Sequence, residues 1–167
     1  MPEMPRYTWG AKGFGRNPLR AAGTEEFEPM RVLIVEDEPL VALELEELLL
    51  DEGFEVVGSA TDAAQAIDLG RRHRPDVAFL DLNLADGLTG PRIAKTLVHE
   101  RLATVVFVTG QANVLPSDLH GAFGVIEKPC VGRAMVEALR FLSSYLCGKA
   151  TKRAVPPVLR LASSPQQ

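Results

Sequence analysis

The chain has 167 residues, 46% hydrophobic and 24% charged, with a formal net charge of −4; this is room for one domain of ordinary size plus tails. That balance excludes a wholly disordered chain and a collagen-like chain, and two cysteines, Cys130 and Cys147, are too few for a disulfide framework. Apolar runs of about five residues exclude a membrane span, and the N-terminus carries no apolar stretch of the export type, so the expected location is the cytoplasm.

Residues 1–29 hold Pro2, Pro5, Pro18 and Pro29 with Gly10, Gly13, Gly15 and Gly23. They show neither a helical nor a strand period, which predicts an irregular or disordered arm. The run Gly10–Gly15 (GAKGFG) follows no strand and lacks the Lys-Ser/Thr ending of a phosphate loop.

From Arg31 the chain alternates strand and helix signals. Arg31–Val35 (RVLIV) is a short apolar run, the mark of a strand buried on both faces. Pro39 opens a helix and Gly53 closes it, with Val41, Leu45, Leu48 and Leu49 on one face. Phe54–Ser59 reads as a second strand. Thr61 or Asp62 caps a second helix that ends in Arg71, Arg72, His73 and Arg74, where cations suit the helix dipole. Asp76–Leu80 is a third strand, Pro91–Arg101 a third helix and Thr104–Val108 a fourth strand. Gln111–Gly121 is weakly helical, is broken by Pro116 and has few apolar anchors. Phe123–Ile126 is a fifth strand and Val131–Cys147 a last helix. Residues 148–167 are basic and contain Pro156, Pro157 and Pro165, which predicts a solvated, disordered tail.

Five strands alternating with helices predict a five-stranded parallel sheet covered on both faces, a three-layer α/β sandwich. Residues 30–147 carry 10 basic and 18 acidic residues, a balance that does not suit a duplex-binding surface. The tail is too short for a helix-turn-helix, so no DNA-binding output domain is expected.

In a parallel sheet the site lies beyond the carboxyl ends of the strands. There the sequence puts Glu36 and Asp37 after the first strand, Asp81 and Asn83 after the third, Thr109 and Gly110 after the fourth, and Lys128-Pro129 after the fifth. Glu36, Asp37 and Asp81 would repel one another in a partly buried pocket. A hard divalent cation relieves that, and oxygen-only ligands suit Mg2+. A carboxylate beside Mg2+, a lysine and a hydroxyl is equipped for phosphoryl transfer onto an aspartate. Asp81, at the end of the central strand, is the expected nucleophile.

The Glu36-Asp37 pair after VLIV, Asp81 in FLDLN, Thr109-Gly110 in FVTG and Lys128-Pro129 resemble the receiver domain of two-component response regulators over residues 30–147. The resemblance implies a flavodoxin-like topology. It implies that Asp81 accepts a phosphoryl group from a sensor histidine kinase or phosphotransfer protein, with Thr109, Gly110 and Lys128 binding the phosphate. Glu36, Asp37, Asp81 and the backbone carbonyl of Asn83 would hold Mg2+, and the Lys128–Pro129 peptide would be cis. FVTG, with Phe107 and Gly110, is similar to the "FAT GUY" class of stand-alone receivers, with Val108 for the alanine and Gln111 for the aromatic. The family usually has an aromatic residue three positions before the lysine, and here that position is Val125. Thr109 and the loop Gly110–Gly121 are therefore the expected carriers of a conformational signal.

The resulting expectation is a single-domain response regulator, not an enzyme beyond its own phosphorylation and dephosphorylation, that signals by protein contacts or serves as a phosphoryl sink or relay. One alternative is a protein-binding scaffold that works without phosphorylation. Another is a Mg2+-dependent phosphatase with an aspartate nucleophile. A phosphatase of that kind needs a second acid two residues on, and that position is Asn83. The last helix carries Val136, Leu139 and Phe141 besides its core set Val131, Met135, Ala138 and Leu142. Apolar residues on more than one face predict a cover: a partner, a homodimer mate, or the tail through Val158, Leu159 and Leu161.

Overall fold

The computed structural model describes residues 28–148 and 154–163. Most of the arm predicted over 1–29, and residues 149–153 and 164–167 of the tail, lie outside the described residues. The elements run β1 (Arg31–Val35), α1 (Pro39–Asp51), β2 (Glu55–Ala60), α2 (Ala63–His73), β3 (Val77–Leu80), α3 (Gly90–His99), β4 (Thr104–Thr109), β5 (Gly124–Glu127), α4 (Arg133–Leu146) and β6 (Leu159–Leu161). The sheet order is β2-β1-β3-β4-β5-β6. The first five strands are parallel and β6 is antiparallel to β5. The fold is the expected flavodoxin-like α/β sandwich, with six strands in place of five.

Alternation along the strands builds the two faces. Leu33, Val35, Ala78, Leu80, Val105, Phe107 and Val125 pack with α2 and α3 through Ala63, Ala66, Ile93, Ala94 and Leu97. Val32, Ile34, Val77, Phe79, Val106, Val108 and Ile126 face the other way, toward Leu49 of α1 and Met135, Ala138, Leu139, Phe141 and Leu142 of α4. Both faces of the central strands are thus dry, which is why their sequences read as continuous apolar runs.

Local chemistry sets the helix ends. Asp62, rather than Thr61, caps α2: its carboxylate accepts from the Gln65 amide at 2.9 Å. Gly53, at φ +82°, turns the chain after α1 into β2. Gly90 starts α3 against the chain leaving β3. A Cβ there would lie 2.5 Å from the Asp81 carbonyl oxygen and 2.7 Å from Leu82 Cα. Neither atom belongs to a side chain that can swing away. Gly90→Ala should therefore lower stability by about 1–3 kcal/mol, read as a lower urea midpoint at unchanged slope.

The structure refines one expectation and corrects two. First, the apolar face predicted for α1 lies on one side of the helix but is only partly buried. Leu49 is buried, while Val41, Leu45 and Leu48 border a groove of about 670 Å³ between α1, the sheet and the start of α4. The helix has apolar residues on two sides, Leu40, Leu43 and Leu50 being exposed, so no single stripe pulls it down onto the sheet. Second, residues 111–121 form two short 3₁₀ turns, Ala112–Val114 and Leu119–Gly121. They are anchored more firmly than expected, because Ala112, Leu115 and Leu119 are buried in the α2–α3 face.

Third, the tail is not wholly disordered. Leu159 pairs with Ile126, Arg160 with Val125 and Leu161 with Gly124. Leu159 is buried, and Val155, Val158 and Leu161 pack on the α4 face. The tail thus covers part of the apolar surface that α4 and β5 present. Leu139 and Phe141, expected as surplus, are core residues, whereas Val131 precedes the helix and is 69% exposed.

Candidate functional site

Three strand ends bring the central groups together. Glu36 directly follows β1, Asp81 directly follows β3, and Lys128 directly follows β5. The Lys128 ammonium lies 2.7 Å from Glu36 Oε2 and 2.8 Å from Asp81 Oδ2, bridging the two carboxylates. Their side chains are only 5% and 13% exposed, so water does little to screen their repulsion and the bridging cation matters. Burial pulls the Lys128 pKa down, but hydrogen bonds and charges from Asp81 and Glu36 outweigh it and hold the group above the usual lysine range.

The second oxygen of each carboxylate is held by main chain. The Leu82 amide donates to Asp81 Oδ1 at 2.6 Å and the Glu38 amide donates to Glu36 Oε1 at 3.1 Å. These bonds fix both carboxylates in place before any ligand arrives. Lys128 is itself positioned by its own amide, which donates to the Thr109 carbonyl at 2.9 Å. The Lys128–Pro129 peptide is cis. Thr109 ends β4 and is 1% exposed; its hydroxyl oxygen accepts from the Gln111 amide at 3.2 Å. Asp37 is half-buried beside Glu36, while Asn83 and Gly110 are exposed.

Two of the three carboxylates, Glu36 and Asp81, share Lys128. Among the described residues no cluster of three or more His, Cys, Asp or Glu is gathered in metal-holding geometry. The donor chemistry still fits a hard divalent cation, because Glu36, Asp37 and Asp81 offer only oxygen on two adjacent strand ends. Two residues escaped the sequence reading. Gly90 supports the backbone of Asp81 from α3, and Arg160 of β6 donates to the Ala112 carbonyl at 2.9 Å, just beyond Thr109. Gly90 stands directly before Pro91, the expected helix start, which was a usable signal; Arg160 offered none.

Residues 32–140 match the response regulator receiver domain, and the chain belongs to that family. It is 39% identical over 83 residues to the transcriptional regulatory protein PdtaR of Mycobacterium tuberculosis, a match that covers 48% of this chain and 39% of PdtaR. It is 29% identical over 112 residues to the chemotaxis protein CheY of Bacillus subtilis, covering 65% of this chain and 93% of CheY. The solution structure of SdrG from Sphingomonas melonis Fr1 aligns with a TM-score of 0.57 at 29% identity, covering 71% of this chain and 96% of SdrG. Matches to the first curated relatives span about two fifths of those proteins' length. No helix among the described residues is long and apolar enough to cross a membrane.

Proposed function

We propose that Asp81 accepts a phosphoryl group from a sensor histidine kinase or phosphotransfer protein in the cytoplasm, and that the chain works as a single-domain response regulator. It signals through protein contacts, or drains and relays phosphoryl groups. The observation that carries this reading is the Lys128 ammonium at 2.8 Å from Asp81 Oδ2, at the end of the central strand.

The steps follow from the groups present. An Asp81 carboxylate oxygen attacks phosphorus in line with the departing donor atom. Lys128 is already beside that oxygen, so it can follow the charge onto a phosphoryl oxygen without a long movement. Glu36 keeps the ammonium in reach while its partnership with Asp81 is exchanged. The Thr109 hydroxyl donates to a second phosphoryl oxygen. Receiver domains generally bind Mg2+; here Glu36, Asp37, Asp81 and the Asn83 carbonyl would hold it, and when bound it neutralises charge on carboxylate and phosphate together.

Gain of one phosphoryl group by intact mass, on incubation with Mg2+ and acetyl phosphate, tests the reading; no gain under any donor or Mg2+ concentration would overturn it. Lys128→Ala should retain the fold but slow the gain about a hundredfold, the usual effect of removing one donor to a developing oxyanion. A rate within a factor of about two of the wild type would remove Lys128 from the phosphate-binding role.

A further inference from the structure

The geometry points to a switch strap: we propose that docking of β6 is coupled to the state of Asp81, with Arg160 as the positioning residue that links them. This rests on the phosphorylation reading and adds a route to it.

Position 125 holds valine, which has no ring to rotate. The antiparallel register places Arg160 directly opposite Val125. In such a pair both side chains stand on the same face of the sheet. Val125 packs on the face that also buries Ala112, and the Arg160 guanidinium reaches the Ala112 carbonyl at 2.9 Å. A group from the tail thus occupies the neighbourhood where a ring is missing.

The contacts form a short series. The Thr109 hydroxyl oxygen accepts from the Gln111 amide at 3.2 Å. The next residue, Ala112, is gripped by Arg160. Further along, the Ser163 amide donates to the Ser117 carbonyl at 2.9 Å and the Ala162 amide to the Phe123 carbonyl at 3.1 Å. The strap therefore ties the segment after Thr109 to the sheet edge at three points.

It is also weakly held enough to move. β6 has three residues, and short terminal edge pieces open at a small fraction of global stability. Its seat depends on Gly124, where a Cβ would lie 3.0 Å from both the Arg160 carbonyl oxygen and Leu159 Cδ1.

Phosphate on Asp81 offers the Thr109 hydroxyl an anionic acceptor. Drawing that hydroxyl toward Asp81 stretches its already long bond to the Gln111 amide and shifts Gln111 and Ala112. Arg160 then loses its acceptor and the strap loosens. Release bares the β5 edge, an unpaired row of main-chain groups that invites an added strand from a partner. Linkage requires the reverse effect: loosening the strap favours the phosphorylated arrangement.

The test uses the full chain with Mg2+ and beryllofluoride as the phosphoryl mimic. Hydrogen exchange at residues 159–162 should quicken at least tenfold when the mimic is bound. Arg160→Met, which keeps an unbranched stem but has no donor for the Ala112 carbonyl, should bind beryllofluoride about fivefold tighter or more, the lower range of allosteric couplings, and Arg160→Lys, which keeps a donor, should stay near the wild type. A purely structural role for Arg160 would lower thermal stability and leave that affinity alone. Gly124→Ala, which crowds the strap backbone and leaves the Arg160 side chain in place, should tighten binding in the same direction; if it fails to fold, the Arg160 pair decides. Binding of the mimic with unchanged exchange at 159–162, or unchanged affinity in Arg160→Met, overturns the coupling while leaving the phosphorylation reading intact. Failure of the wild type to bind the mimic overturns both.

Discussion

Asp81→Asn should abolish phosphorylation completely while leaving the fold in place. The carboxamide keeps an oxygen for the Leu82 amide, which now donates to Asp81 Oδ1 at 2.6 Å. Its nitrogen, however, would face the Lys128 ammonium, donor against donor, and it is no nucleophile at phosphorus. Lys128 retains Glu36 at 2.7 Å, so the buried cation is not orphaned. The expected cost in stability is therefore limited to about 1.5–3 kcal/mol for one charge-assisted hydrogen bond lost. The gain of a phosphoryl group in intact mass should fall from one to zero. Equal labelling of wild type and Asp81→Asn would move the acceptor to another residue.

Removing residues 154–167 should destabilise the protein by about 2–4 kcal/mol, because the buried apolar surface of the strap is returned to water. Leu159 is 3% exposed, and burying one leucine contributes about 1.5–3 kcal/mol. Ala162 is also buried, and Val155, Val158 and Leu161 add partial burial against α4. Leu159→Ala should cost about 2–4 kcal/mol as well, by loss of transfer energy and the cavity left behind. Its cost is capped by the docking energy of the strap, since beyond that point the strap simply undocks. Urea unfolding of the three proteins measures this. A tail that was merely solvated would give identical midpoints, with Leu159→Ala the more informative comparison because it leaves chain length unchanged.

The central sheet was legible because its strands are buried on both faces. RVLIV, DVAFL and TVVFV are apolar runs whose meaning does not depend on a partner. Once five such strands alternate with helices, topology brings Glu36, Asp81, Thr109 and Lys128 to one end of the sheet. What the pattern does not carry is how charges settle among themselves. That Lys128 divides itself between Glu36 and Asp81 depends on side-chain reach across three strand ends. The looseness of α1 was also hidden, since Val41, Leu45 and Leu48 fit an inward stripe and the groove appears only when α1 and α4 are placed together.

The tail was the largest departure. Leu159–Leu161 is three residues long and follows two prolines, too little alternation to separate a strand from a loop. Its pairing comes from a non-local match with Gly124–Ile126. The surplus of apolar residues on the last helix did signal a cover, with the tail as one source, but their spacing alone could not distinguish the tail from a partner. Gln111–Gly121 presented the opposite difficulty. Pro116 and weak periodicity pointed to a broken helix, yet Leu115 and Leu119 reach the core from turns, which no helical period reveals.

Borohydride reduction identifies the phosphoryl acceptor itself. Protein treated with acetyl phosphate and Mg2+ is trapped with borohydride, which converts an acyl phosphate on aspartate to homoserine, and the site is read by peptide sequencing in a mass spectrometer. Homoserine is expected at position 81 and at no other aspartate. Homoserine at another position, or its absence from protein that has gained the phosphoryl mass, would contradict it.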